Sequence, residues 1–436
     1  MKQILIFYLL AVAFYLVGVV DKAHAQDTDD VKIHEIGKSQ KNPRFLFGGY
    51  GEVALQRMFY TDNIERYKYP ERHKEGNHGR FDLPHVVLYM SYDFGKGWKM
   101  SSEIEFEHSG TGATYEIENS ETGEYETEIE KGGEIALEQF WIEKTFSNTA
   151  NLRMGHIIVP IGLTNMYHLP TEFFSVLRPE EESSVIPCTW HETGVSFWGK
   201  TKQWRYEAML VAGLDAERFN NANWINGGAV SPYEFKIANR YAGAVRMDNY
   251  SVKGLRMGVS GYYGYSAQNT LKQERYKDVK GAVSIGSFDA VYDDNNILAR
   301  VNILYGHLGD SYDISMINKK MPNASPSPGT DVASDVLSWY VEAGYNVLSF
   351  FPNRKDKEDK LYVYAHYGSY DSMYKTSSKI TPKGWTDRKI LSGGINYFPM
   401  KGLVVKAEYM MRKFKAPYID EPAVSVGVAY SGLFGN

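Results

Sequence analysis

The connections between extended segments alternate short and long along the chain, and this rhythm restricts the folds open to it. From Arg44 onward, strand-like segments occupy 44–60, 80–94, 98–109, 133–146, 150–160, 190–200, 203–213, 240–248, 253–265, 282–292, 296–307, 335–349, 359–370, 387–398, 402–413 and 422–434. Most are longer than the ~5–6 residues of an ordinary soluble strand and suit the ~9–11 residues of a tilted, membrane-crossing one. Short connections include Gly95-Lys96-Gly97, Ser147-Asn148-Thr149, Thr201-Lys202, Asp293-Asp294-Asn295 and Pro399-Met400-Lys401, all turn residues at turn lengths. Long ones cover 61–79, 110–132, 161–189, 214–239, 266–281, 308–334, 371–386 and 414–421. Strict alternation puts every long connection at one end of the sheet. A membrane barrel sorts its loops in this way, and a soluble sandwich has no reason to.

Within segments the pattern has period two. In 402–413, Leu403, Val405, Ala407, Tyr409 and Met411 share one face, while Val404, Lys406, Glu408, Met410 and Arg412 share the other. In 98–109, Met100, Ile104 and Phe106 oppose Lys99, Glu103, Glu105 and Glu107. In 44–60, Phe45, Phe47, Val53 and Leu55 oppose Tyr50, Glu52 and Gln56. The apolar face suits hydrocarbon and the charged face needs water. The expected fold is all-β: one closed antiparallel transmembrane barrel of about sixteen strands over 44–436.

The first 25 residues read as a secretory signal peptide. Lys2 supplies the positive charge, Ile4 to Val20 the apolar run, and Ala23-His24-Ala25 the cleavage pattern. Residues 26–43 are a polar leader, expected on the periplasmic side. After residue 25 no apolar stretch approaches the ~20 residues of a membrane helix. A mean hydropathy of -0.40 is compatible with a barrel, in which alternate residues face lipid. Tyr at 33 and Gly at 40 suit strands with aromatic girdles. A net charge of -5 argues against nucleic acid as a partner. The lone Cys188 has no disulfide partner and reads as inert.

Three places resemble the phosphate-selective porin family of outer-membrane channels. They are Leu152 to Leu163, with its Pro160-Ile161-Gly162 turn; Thr193-Gly194-Val195 through Trp198-Gly199; and Gly393 to Pro399 followed by Leu403 to Arg412. The resemblance implies a sixteen-strand homotrimeric porin in a Gram-negative outer membrane, conducting ions and small hydrophilic solutes. It also implies that the third long loop, 161–189, folds inward and narrows the pore, which makes Glu172, Arg178, Glu180, Glu181 and Glu182 the constriction candidates. Pro160, Pro170, Pro179 and Pro187 keep this loop from extending into a hairpin, and Thr171 to Leu177 is expected to form a helical turn. Pore-lining candidates on strands are Arg153, Arg246, Arg256, Arg300, Arg388, Lys406 and Arg412, offset by Glu103, Glu105, Glu107 and Glu408. An anion such as phosphate needs basic donors at the constriction. The loop offers Arg178 against four acids, so the residues themselves do not predict a phosphate-specific pore, and each lining charge is as well explained by a water-filled lumen.

No cofactor, metal ion or covalent chemistry is expected. Neither a G-x-S-x-G elbow nor an H-E-x-x-H pattern occurs. The acidic run through 110–132 lacks the spaced Asp/Asn and Gly of a calcium loop. It reads as a solvated charge run beside lipopolysaccharide. Arg72, His73, His78, Asp82 and His85 match no ligand spacing, and Trp190-His191-Glu192 reads as part of an interfacial girdle. The rival readings are an outer-membrane barrel enzyme of the lipase or protease kind and a secreted β-sandwich binding protein.

Overall fold

The computed structural model describes residues 44–119, 125–230, 235–322, 325–351, 353–354 and 358–434, without the side chains of Ile64 and 109–134. The signal and leader assigned to 1–43 lie outside the described residues. The strands are β1 (Phe45–Met58), β2 (His78–Asp82), β3 (His85–Gly95), β4 (Trp98–Asn119), β5 (Tyr125–Ser147), β6 (Ala150–Ile158), β7 (His191–Lys200), β8 (Trp204–Ala212), β9 (Tyr241–Val252), β10 (Leu255–Tyr265), β11 (Ala282–Asp294), β12 (Ile297–Leu308), β13 (Asp335–Asn346), β14 (Lys360–Lys375), β15 (Asp387–Met400), β16 (Leu403–Lys413) and β17 (Glu421–Leu433).

Apart from β2 and β3, which do not pair with each other, each strand pairs antiparallel with its sequence neighbours, and β1 pairs with β17 from Gly48↔Leu433 to Met58↔Ala423. The sheet therefore closes on itself. The short strands β2 and β3 are one stave, since both pair with β1 on its other edge. Pro84 lies between them; it has no N–H for the ladder, and the pairing skips from Gly51↔Val86 to Ala54↔Asp82. The barrel thus has sixteen staves, and a barrel leaves no edge for another chain to add to.

The alternation sorts inside from outside. Phe47, Val53, Leu55, Leu137, Ile142, Leu210, Val245, Ile303, Val363, Ile395, Val405 and Val426 are exposed on the outer face. Phe45, Phe94, Trp98, Phe146 and Phe350 are exposed toward the short-turn end, and Phe59, Phe81, Tyr241, Tyr263 and Tyr374 toward the long-loop end. An apolar band between two aromatic girdles is the surface that a bilayer solvates. Among the described residues, no helix is long and apolar enough to cross a membrane.

The turns are tight where the sequence asks for it. Lys96-Gly97 and Asn295-Asn296 have positive φ at both central residues, the hairpin geometry that matches strand twist. One short-end connection is longer than the others: Val347–Phe350 forms a 3-10 turn before β14 starts at Lys360. Two expected loops are corrected. The 110–132 segment extends the β4–β5 hairpin, with pairing from Gly112↔Gly132 to Asn119↔Tyr125. Its period-two Tyr115, Ile117, Thr127 and Ile129 carry strand character that the charge run masks. Likewise β14 runs on to Lys375, into the expected 371–386 loop.

The molecule has an apolar core inside the barrel. Trp190, Trp224, Tyr276, Phe219, Ile186 and Ile314 are essentially unexposed and cluster with inward residues of β5, β6 and β8 to β15 such as Val211, Ala244, Ile285 and Leu304. Long loops supply most of its bulk and interlock. Trp224 Nε1 donates to the Ala333 carbonyl at 3.2 Å, and the Tyr276 hydroxyl donates to Asn318 Oδ1 at 2.6 Å. Trp190 is therefore interior packing and not part of a girdle, because its position at the mouth of β7 points it inward against Tyr262.

Candidate functional site

The loop 161–189 crosses the lumen, and each part of it is tied to a different stave. Near its start, Arg246 Nη1 on β9 donates to the Gly162 carbonyl at 2.9 Å. Arg246 is itself held by Asp248 at 2.7 Å and Asp289 at 3.0 Å, and Arg256 by Asp289 at 2.5 Å and Asp248 at 3.0 Å. Tyr167 of the loop lies under the Arg256 guanidinium, 4.3 Å from ring centre to carbon. Further on, Lys406 Nζ on β16 donates to the carbonyls of Phe173 at 2.9 Å and Ser175 at 2.8 Å. Thr171 bonds Ser431 on β17 at 2.6 Å.

The helical turn falls at Glu180–Ser183 and not at Thr171 to Leu177, which bends without helix. Pro179 stands before it, where a fixed φ favours helix entry. Its three consecutive acids fan out to three staves. Glu180 pairs with Arg412 on β16. Glu181 pairs with His366 on β14 at 2.8 Å, and its carbonyl accepts from Ser338 on β13 at 2.6 Å. Glu182 accepts from Asn302 on β12 and from the N–H groups of Leu163 (2.9 Å), Thr164 (3.1 Å) and Asn165 (2.8 Å). Glu182 thereby ties the end of the loop to its start. Burial pushes the Glu182 carboxyl up to about 7 even against those donors. Burial also raises Glu180, but the charge and hydrogen bond of Arg412 bring it below its ordinary value.

The strand charges singled out from the sequence all lie on the inner side, and most are paired. Arg153 meets Glu143 at 3.0 Å, and Arg300 meets Glu342 at 2.7 Å. Glu342 continues to His366 at 3.3 Å. Arg412 also holds Glu421, which Arg66 grips from the outer loop at 2.8 Å. Arg388 donates to the Tyr370 hydroxyl at 2.7 Å, and Glu408 accepts from Tyr364 at 2.8 Å. Glu103 and Glu105 are buried, and Glu107 is half-buried beyond them. Charges buried in a protein need such partners, since desolvation outweighs any gain from a single unpaired ion. Arg178 donates through Nη1 to the Cys188 carbonyl at 2.5 Å. Glu172 is half-buried, and its N–H bonds the Leu169 carbonyl at 2.9 Å. The Cys188 thiol is raised well above its ordinary value by burial and by Glu182.

A cavity of about 620 Å³ remains between the loop and the wall, at the long-loop end. Strands β1, β2 and β14 to β17 wall one side, and residues of Ser175 to Glu181 the other. Arg66, Arg80, Arg178 and Arg412 line it with Asp62, Glu180, Glu181 and Glu408, so arginines and carboxylates face it in equal number, beside His78 and His366. The histidine set weighed from sequence is dispersed. His78 bonds the Tyr60 carbonyl, His73 stands 3.6 Å from Glu65, and His85 points inward to Glu52 at 2.6 Å. Sequence reasoning passed over Glu138, Glu342, His366 and Asp289. Asp289, Glu342 and His366 sit inward at alternate strand positions, a signal that period-two counting over 282–292, 335–349 and 359–370 contains, whereas Glu138 is turned inward by a bulge that the counting misses.

No family model matches the chain. A protein of Aquifex aeolicus (strain VF5), described as uncharacterized, is 26% identical over 386 residues, covering 84% of this chain and 76% of its own. Among solved structures, the chain is similar to a loop L8 deletion mutant of the Vibrio cholerae outer membrane protein OmpT, at 11% identity and a TM-score of 0.48 over 89% of this chain and 100% of that one. It is also similar to an anion-selective porin from Comamonas acidovorans, at 9% identity and a TM-score of 0.48 over 89% and 99%. Similarity to Salmonella typhi OmpF in complex with daunomycin is at 10% identity and a TM-score of 0.47 over 88% and 97%.

Proposed function

We propose that the protein is a porin-like channel of a bacterial outer membrane, through which small hydrophilic solutes and ions pass by diffusion. The observation that carries the reading is the combination of an apolar, girdled exterior with a polar cavity of about 620 Å³ held open between the crossing loop and the wall. Diffusion requires no covalent chemistry: bore, inward loop and lining charge do the sorting. Signal-directed export and assembly as a homotrimer in lipid and lipopolysaccharide complete the proposal.

The solute class follows from the charge balance. Because many inner arginines are spent on carboxylates, and the cavity's arginines are matched in number by its carboxylates, the reading is a weakly selective pore without a phosphate-specific ladder. Purified protein in liposomes tests it. Osmotic swelling should be fast with small sugars, fall off as sugar size grows, and show no hydrolysis of lipid or peptide substrates. Reversal potentials in potassium chloride gradients should lie near zero. Arg178→Ala should move them toward cation preference, and unchanged potentials in that variant would remove Arg178 from the pathway.

A further inference from the structure

We propose that Glu103, Glu138 and His168 form a site for a divalent transition-metal ion of the zinc class, which pins the inward loop to the barrel wall. Glu103 comes from β4, Glu138 from β5 and His168 from the loop. All three are buried, and their ligand atoms lie within 4.8 Å of one another.

The orientation of His168 is the independent observation. Its Nδ1 stands 3.3 Å from the Asn165 carbonyl. A carbonyl only accepts, so Nδ1 carries the proton and a neutral ring presents a lone pair at Nε2. Among the described residues that Nε2 has no hydrogen-bond partner, and the residue is only 7% exposed. It stands 3.9 Å from Glu138 Oε1. Two electron-pair donors thus face each other across a gap about twice the ~2.0–2.2 Å of a zinc–nitrogen or zinc–oxygen bond. A shared cation resolves that opposition.

The surroundings fit a metal site. The register slips between Glu103↔Gln139 and Ile104↔Leu137, so Glu138 is a bulge residue turned into the lumen. Gln139 Nε2 donates to Glu103 Oε2 at 2.7 Å, the Tyr50 hydroxyl donates to Glu138 Oε2 at 3.3 Å, and Thr189 Oγ1 donates to Glu138 Oε1. Such outer partners orient ligands, and a backbone carbonyl on the far ring nitrogen is the usual support of a metal-bound histidine. One imidazole with two carboxylates suits zinc or a similar ion. Calcium and magnesium prefer all-oxygen sets.

The test uses the full chain folded in detergent, stripped with a chelator and titrated with zinc chloride by calorimetry. One equivalent should bind, and His168→Ala and Glu138→Gln should each weaken it by about tenfold or more. His85→Ala, in the neighbouring His85, Glu105 and Glu107 group, should leave it unchanged. Heat-modifiable gel mobility identifies the variants that remain folded. Cobalt in place of zinc should give a visible spectrum that loses intensity in His168→Ala. The proposal fails if zinc does not bind, leaving a proton or water between His168 and Glu138. It also fails if folded His168→Ala binds zinc as before, or if His85→Ala abolishes binding.

Discussion

At the residue scale, Gly162 shows how the crossing loop depends on one backbone conformation. It has φ +79°, and an added Cβ would meet the Glu182 carboxylate that three backbone N–H groups fix in place. Left-handed backbone costs an ordinary residue roughly 1–2 kcal/mol, and displacing Glu182 frees its donors as well. Gly162→Ala is therefore expected to lower the urea midpoint of the folded barrel, read by gel mobility, while Gly261→Ala, with nearest contacts of 3.6 Å, should leave it nearly unchanged. Arg246 tests the paired interior. Removing one member of a buried ion group costs about 3–5 kcal/mol, so Arg246→Ala should lower that midpoint more than Gly162→Ala. The inward position of Arg246 was legible in the sequence, because period two places it on the charged face. Asp248, two residues on, shares that face, but the partner on another strand was not legible. Asp289 lies 43 positions away, and only strand register brings the two together.

At the scale of elements, the staves were legible and the loops were not. Alternation and turn residues located sixteen segments within a few residues. Pro84 broke one of them, and the β4–β5 hairpin outran its expected length because a charged strand looks like a loop when judged by charge. Acids 180–182 were legible as a charged group in a loop that the resemblance placed inside the barrel. That each reaches a different stave depends on a fold of the loop that no local pattern encodes. The Glu180–Arg412 contact predicts a pH dependence. The Glu180 carboxyl ionises below its ordinary value of 4.5 in the docked loop, chiefly through Arg412 acting against burial. Its contribution to docking is full above 4.5 and is lost as pH falls through the depressed value. Single-channel records should thus show more frequent spontaneous closures as pH drops below that range. Glu180→Gln should show them already at neutral pH, and identical records for both proteins across pH would disconnect this pair from loop docking.

At the scale of the molecule, closure and filling act together. A ring of sixteen staves satisfies every neighbouring ladder and leaves no edge, so hydrocarbon can bathe the outside without orphaned backbone groups. Within the ring, folded loops build an apolar core against β5, β6 and β8 to β15, and the polar cavity lies toward β1, β2 and β14 to β17. The sequence predicted the ring because period two is a local signal. It did not predict this asymmetric filling, since Trp190, Trp224 and Phe219 sit in or beside loops and reveal their burial only once the loops meet. Gly306 is a case in point: its missing side chain leaves the space that the Trp224 ring occupies. The central claim is that water and ions pass between the crossing loop and the wall. Single-channel conductance in planar bilayers tests it most directly, comparing the full chain with a variant in which residues 171–178 are replaced by a short glycine-serine linker. The account predicts stable conductance for the full chain and a larger one for the variant. A silent full chain, or a folded variant whose conductance is no larger, would contradict it.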